Sequence, residues 1–91
     1  MALQTIQLTL GAGATQLTSA ANRVAIRQAL FGAAAHTYYI GTSNVDATHG
    51  VPVPTTAAPV SLGPFSALPV NSDEIYLFGT QNDVIQVAIV N

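Results

Sequence analysis

An all-β fold, a small antiparallel β-sandwich or jelly-roll-like barrel of about six to eight short strands, is what this sequence predicts. Three observations carry it. The opening segment alternates apolar and polar residues with period two, Ile6, Leu8 and Leu10 against Thr5, Gln7 and Thr9, the pattern of a half-buried strand. All five prolines fall between Pro52 and Pro69, which excludes a helix there and limits any strand to an edge. The closing stretch, from Asp73 to Val90, consists of β-branched and aromatic runs interrupted by a polar turn.

Taken in order, the first strand covers residues 3–10. Gly11 to Ala14 supplies turn chemistry, and Thr15 to Thr18 fits a short return strand. Residues 19–31 suit two readings. Ser19 can cap a helix rich in Ala, Arg, Gln and Leu that Gly32 would close, whereas Val24, Ile26 and Leu30 fit one face of a strand, with Arg23, Arg27 and small Ala residues on the other. The neighbouring pattern favours the strand. His36 to Gly41 reads as an aromatic, β-branched strand running into a bend, and Ser43 to Gly50 as a loop whose side chains bond their own backbone. Val51 to Pro54 and Pro59 to Leu62 are edge strands or extended arms.

The strongest local signal is the end of the chain, where Asp73 to Gly79, a turn at Thr80 to Asp83, and Val84 to Val90 predict a β-hairpin. Its strands are apolar on both sides: Ile75 and Leu77 against Tyr76 and Phe78, then Ile85, Val87 and Ile89 against Val84, Ala88 and Val90. A two-layered domain of 91 residues has one interior to offer. The second face is therefore expected to meet another chain.

Composition points the same way. The 91 residues form a single domain, with no repeat or linker. Charged residues make up 7% of the chain, against roughly a quarter to a third of an ordinary domain surface, so part of the surface is expected to be covered by other subunits. A net charge of -2 with two Arg and no Lys offers no basic patch to nucleic acid or anionic lipid. With no Cys, disulfides, cysteine-ligated zinc and thiol catalysis are excluded. No run reaches the about 18 apolar residues of a membrane-spanning helix, and the start lacks the pattern of a signal peptide; the expectation is a protein that stays in the cytoplasm unless it leaves inside a larger particle.

Candidate chemistry is thin. Ser43 with His36 or His49 and Asp73 or Asp83 contains the residue types of a hydrolase triad, but no Gly-x-Ser-x-Gly elbow accompanies them. Asp46 and His49 would need His36 to approach before they could hold a metal. Asp73 and Glu74, neighbours on a predicted strand, point to opposite faces and cannot share a substrate. Gly11 and Gly13 lack the rest of a phosphate loop and read as a turn. Neither a catalytic site nor a cofactor is expected. Arg23 and Arg27, the only fixed cations, lie on one side of a strand or helix and suit either a solvated face or a bond to a neighbouring subunit's carboxylate. Tyr38, Tyr39, Tyr76 and Phe78 could form a sugar-binding platform, against which core or interface packing is the stronger reading.

The run from Tyr39 through Ile40, Gly41, Thr42, Ser43 and Asn44 to Val45, then Gly50 to Val53, and later Ile75 to Thr80 and Asp83 to Val87, resembles small virion proteins of tailed bacteriophages. A strand and bend of the type Y-I-G-x-S-N-V, a Gly-x-Pro-like loop and a terminal hairpin of the type I-Y-x-x-G-T-x-x-D-x-V-x-V recur there in this order, and the match spans roughly residues 24–90. Where those proteins often carry an Asn-Thr-Gly-like turn before the first of these strands, this chain has Gly32 to Ala35. The resemblance implies a β-sandwich without an active site, most like a head decoration (cement) protein, which typically sits as a trimer on the major capsid protein. On that footing the strand from Leu3 and the arm containing Val51, Val53 and Leu62 are expected to contact the shell. Tyr76, Phe78, Val84 and Val90 would pack the oligomer, with Arg23 and Arg27 available for pairing between subunits.

Overall fold

A computed structural model describes residues 3–56, 59–63 and 70–90. The fold is all-β. Its strands are β1 (Leu3–Thr9), β2 (Thr15–Gln16), β3 (Ala25–Ile26), β4 (Gln28–Phe31), β5 (Tyr38–Gly41), β6 (Val51–Val53), β7 (Val60–Leu62), β8 (Val70–Asn71), β9 (Tyr76–Phe78) and β10 (Val84–Val90), with 3-10 turns at Ala20–Asn22 and Ser72–Glu74. They form two four-stranded antiparallel sheets, ordered β1-β10-β4-β7 and β2-β9-β5-β6, plus the small β3-β8 pair.

The core lies between the two larger sheets. Ala29, Phe31, Ile85, Val87 and Ile89 of the first sheet share one buried cluster with Tyr38, Ile40, Val53 and Leu77 of the second. Alternation in β1 runs as its sequence predicts: Thr5, Gln7 and Thr9 are exposed, Ile6 and Leu8 half-buried, and Leu10, one residue beyond, fully buried. The two proline-bearing segments are edge strands. β6 ends the second sheet and β7 the first.

Within residues 19–31 the strand reading holds for Ala25–Ile26 and Gln28–Phe31, and the first part holds a 3-10 turn at Ala20–Asn22 in place of strand. The predicted single alternation fails at Arg27. Ile26 is buried, but beyond Arg27 the buried positions are Ala29 and Phe31, and Leu30 points outward. Arg27 N–H bonds the Val90 carbonyl at 2.7 Å although the residue in register with Val90 is Gln28. Two residues thus stand against one, a β-bulge that shifts every later side chain to the other face.

The predicted terminal hairpin does not form. β9 pairs with β2 and β5, whereas β10 pairs with β1 and β4, so the Thr80 to Asp83 turn carries the chain from one sheet to the other. Its closing hydrogen bonds go to β1's end: Leu10 N–H to the Asp83 carbonyl at 2.8 Å and Asn82 N–H to the Leu10 carbonyl at 2.9 Å. Asn82 takes a positive φ of 75°, tolerable for Asn. Gly79 starts the crossing where no side chain fits, since a Cβ would stand 2.8 Å from both Leu10 Cδ1 and Tyr38 Cβ. Nor are Asp73 and Glu74 neighbours on a strand; both lie in the Ser72–Glu74 turn.

Candidate interaction surface

Once the strands are paired, all six charged side chains fall off the sheet faces. Arg23 follows a 3-10 turn, Arg27 sits at the bulge, Asp46 lies in the loop after β5, Asp73 and Glu74 are in the second 3-10 turn, and Asp83 is in the crossing turn. The outer face of the first sheet is left without charge. β1 contributes Leu3, Thr5, Gln7 and Thr9, opposite Val90, Ala88, Gln86 and Val84 of β10; β4 adds Gln28 and Leu30. Leu3 is 71% exposed, Val84 42% and Leu30 41%. A shallow hollow of about 230 Å³ lies at its centre, bounded by Thr5, Leu30, Pro59, Gln86 and Ala88.

The outer face of the second sheet is aromatic. Tyr39 stands directly across from Phe78, and Tyr76 across from Gly41, all three aromatic rings half-buried. Tyr38, which the sequence grouped with them, faces inward: it is buried, and its hydroxyl donates to the Gly32 carbonyl at 2.6 Å. Burial raises the Tyr38 pKa to about 12, because the phenolate would have to form in an apolar setting. Between the sheets, on the side of β6 and β7, an apolar cleft of about 340 Å³ is lined by Ile40, Val51, Val60, Val70 and Ile75, with Glu74 at its margin.

The residues expected to bind partners separate into groups. Leu3, Val51 and Val84 are exposed, and Tyr76, Phe78 and Val90 are half-buried. Val53, in contrast, is buried in the domain's own core at 1% exposure, because its register partner is Tyr38 on the inward side; it has no surface to give a neighbour. The Leu62 side chain lies outside the described residues. Arg23 meets a carboxylate of its own chain, Asp73, at 3.0 Å, and Arg27 is exposed at the bulge.

The scattered catalytic residue types do not assemble. His36 Nδ1 lies 2.9 Å from Asp83 Oδ2, clamping the segment before β5 to the crossing turn. His49 Nδ1 lies 2.9 Å from Asp46 Oδ1 within one loop. Each imidazole thus has a different carboxylate, and among the described residues Ser43 bonds neither ring. No group of three or more His, Cys, Asp or Glu gathers among the described residues. The Asp46 carboxyl is held down at about 2, first by the Thr48 hydroxyl, then by the Thr48 N–H and by His49, the signature of a hydrogen-bonded loop acid.

Sequence reasoning missed Leu30 as a surface residue. The signal was the doublet Arg27-Gln28, whose polar pair breaks the alternation and marks the bulge. Compared with known protein families, curated proteins and solved structures, the chain matches none.

Proposed function

We propose that this chain is a non-enzymatic structural protein of a tailed-phage virion, a head decoration protein. In this reading it binds the assembled major capsid protein lattice as an oligomer, a trimer as in the proteins it resembles. The observation that carries this reading is the charge-free outer face of the first sheet. A surface of Leu, Val, Ala, Thr and Gln is poorly suited to keep a free monomer apart from its neighbours and well suited to close packing. Binding only the completed shell would add its free energy to that state alone, and an oligomer makes its later contacts intramolecular, so individually weak sites suffice.

Imaging of purified particles with this chain traced in the density tests the proposal. The expected result is many copies spread over the shell. A single ring of copies would instead mark a neck, collar, tail or fibre-base subunit, and absence from particles would refute both. Gln86→Lys, which places charge at the centre of the face, should weaken binding to purified shells while leaving the unfolding midpoint unchanged. A second reading is favoured by the row of Tyr39, Phe78 and Tyr76 on the other sheet, half-buried with one side towards solvent, since sugars stack on the accessible faces of aromatic rings. Titration of the isolated protein with oligosaccharides decides it, and loss of binding in Tyr76→Ala would assign the row.

A further inference from the structure

We propose that β1 is a docking edge for β1 of a second copy, joining the two first sheets into one continuous antiparallel sheet across a two-fold axis. This goes beyond the virion reading and stands independently of it.

β1 ends its sheet. Which of its backbone groups are free follows from the bonds around it. Leu10 N–H bonds the Asp83 carbonyl, and bonded positions alternate along an antiparallel pair. Leu8, Ile6 and Gln4 therefore exchange bonds with β10, and Leu3, Thr5, Gln7 and Thr9 turn their N–H and C=O groups outward. The far side of β10 agrees: the Gln86 and Val90 carbonyls accept from Gly32 and Arg27, which leaves Ile85, Val87 and Ile89 to serve β1 in the observed register.

Sheet edges normally carry a proline, a charge or a bulge that prevents pairing. β6 has Pro52 within it and Pro54 just after, whereas β1, the seven residues from Leu3 to Thr9, has no proline and no charge. The occupant that fits this edge is the same strand reversed. Centred on Ile6, antiparallel self-pairing sets Leu3 against the partner's Thr9 and Thr5 against the partner's Gln7, so every outward group of the strand is used and no like charges meet. Ile6, half-exposed at the edge, would pack on the partner's Ile6, and Leu8 beside the partner's Gln4. Identical edges pair only about a two-fold, so this contact is separate from any trimeric one.

The test reads assembly mass by analytical ultracentrifugation and amide exchange by NMR. The 91-residue protein is expected to form a species with an even number of copies, in which the Thr5 and Gln7 amides exchange more slowly as concentration rises. Gln7→Pro removes an N–H that β10 does not use and should halve the mass. Thr5→Lys with Gln7→Lys opposes Lys to Lys at both central pairs and should also halve it. Mixing that protein with one carrying Thr5→Glu and Gln7→Glu should restore the original mass as a heteromer. The inference is overturned by a monomeric wild type, by a folded Gln7→Pro or Lys variant of unchanged mass, or by an assembly whose Thr5 and Gln7 amides exchange freely. A trimer of that last kind would overturn this pairing and leave the decoration reading intact.

Discussion

The two faces of β10 both carry apolar side chains, the outer row interrupted by the exposed Gln86, and meet opposite surroundings. Ile85, Val87 and Ile89 are buried against the second sheet, whereas Val84 is exposed and Ala88 and Val90 are half-exposed. Hydrophobicity alone does not separate the two sets. Register does: the inner set is opposed by Leu8, Ile6 and Gln4, the outer by Thr9, Thr5 and Leu3. An apolar residue on the outside of so small a domain is surplus to its own core, and the surplus is what a neighbouring molecule can cover.

The largest effect separates those faces directly. Ile85→Ala or Ile89→Ala should cost about 2–5 kcal/mol, because each side chain is fully buried and leaves a cavity between the sheets. Val84→Ala on the outer face should change the stability of the dissociated chain by no more than about 0.5 kcal/mol. Urea denaturation at a concentration where the wild type is monomeric measures both. Equal losses at Ile85 and Val84 would abolish the distinction between the faces.

The dryness of the interior is tested next, through Tyr38. Its pKa lies at about 12 in the fold against an ordinary 10.0, so between those values the folded chain holds a proton that the unfolded chain has released. Stability is then fully present below about pH 10 and falls as pH rises towards about 12, by on the order of 2 kcal/mol at about 1.4 kcal/mol per pH unit. Tyr38→Phe should flatten that alkaline limb while costing about 1 kcal/mol at neutral pH, since it leaves the Gly32 carbonyl without its donor. Unfolding midpoints measured from pH 8 to pH 12 on both proteins check the two parts separately.

A smaller loss is expected at the one buried polar side chain among the described residues, Ser72. Its Oγ accepts the Val24 N–H at 2.8 Å and pairs with the Thr18 hydroxyl, while its own N–H donates to the Val24 carbonyl at 2.8 Å. Ser72→Ala strands the Val24 N–H inside the fold, a cost of about 1–2 kcal/mol, and thermal unfolding reads it. Exchange of the Val24 amide should accelerate in the same variant.

Local features were legible in the sequence, and long-range ones were not. The inward side of β1, the edge status of β6 and β7, and the loop character of residues 43–50 follow from alternation, from prolines lacking N–H groups and from side chains that bond nearby backbone. The supposed hairpin failed because a turn sequence such as Thr80 to Asp83 reverses or redirects a chain equally well. What decides is whether better partners exist for each strand, and β9 finds β2 and β5 while β10 finds β1 and β4. For the candidate surface, the scarcity of charge was visible in the composition, but its confinement to loops, turns and the bulge required the register. Val53 was misplaced for the same reason, since a proline on either side suggested an exposed arm although its partner Tyr38 draws it inward.

The smallest effect belongs to the outermost group, and it sharpens the contrast between inside and outside through the sign of a pKa shift. Tyr38 is raised by burial, whereas Asp46, on a solvent-facing loop, is lowered to about 2 from 3.8 because donors surround its charged form. With the folded value depressed, the unfolded chain binds the extra proton between those limits, so the loop's stabilisation is present above about pH 4 and is lost as pH falls through about 2. The Thr48 hydroxyl, at 2.8 Å from Asp46 Oδ1, is the leading donor. Thr48→Val should therefore move the Asp46 carboxyl titration, followed by carbon-detected NMR, back towards its ordinary midpoint while leaving Ile85 and the rest of the core signals in place. A midpoint that stays near 2 in this variant would transfer control to the Thr48 backbone N–H and the His49 ring, the remaining donors in the loop.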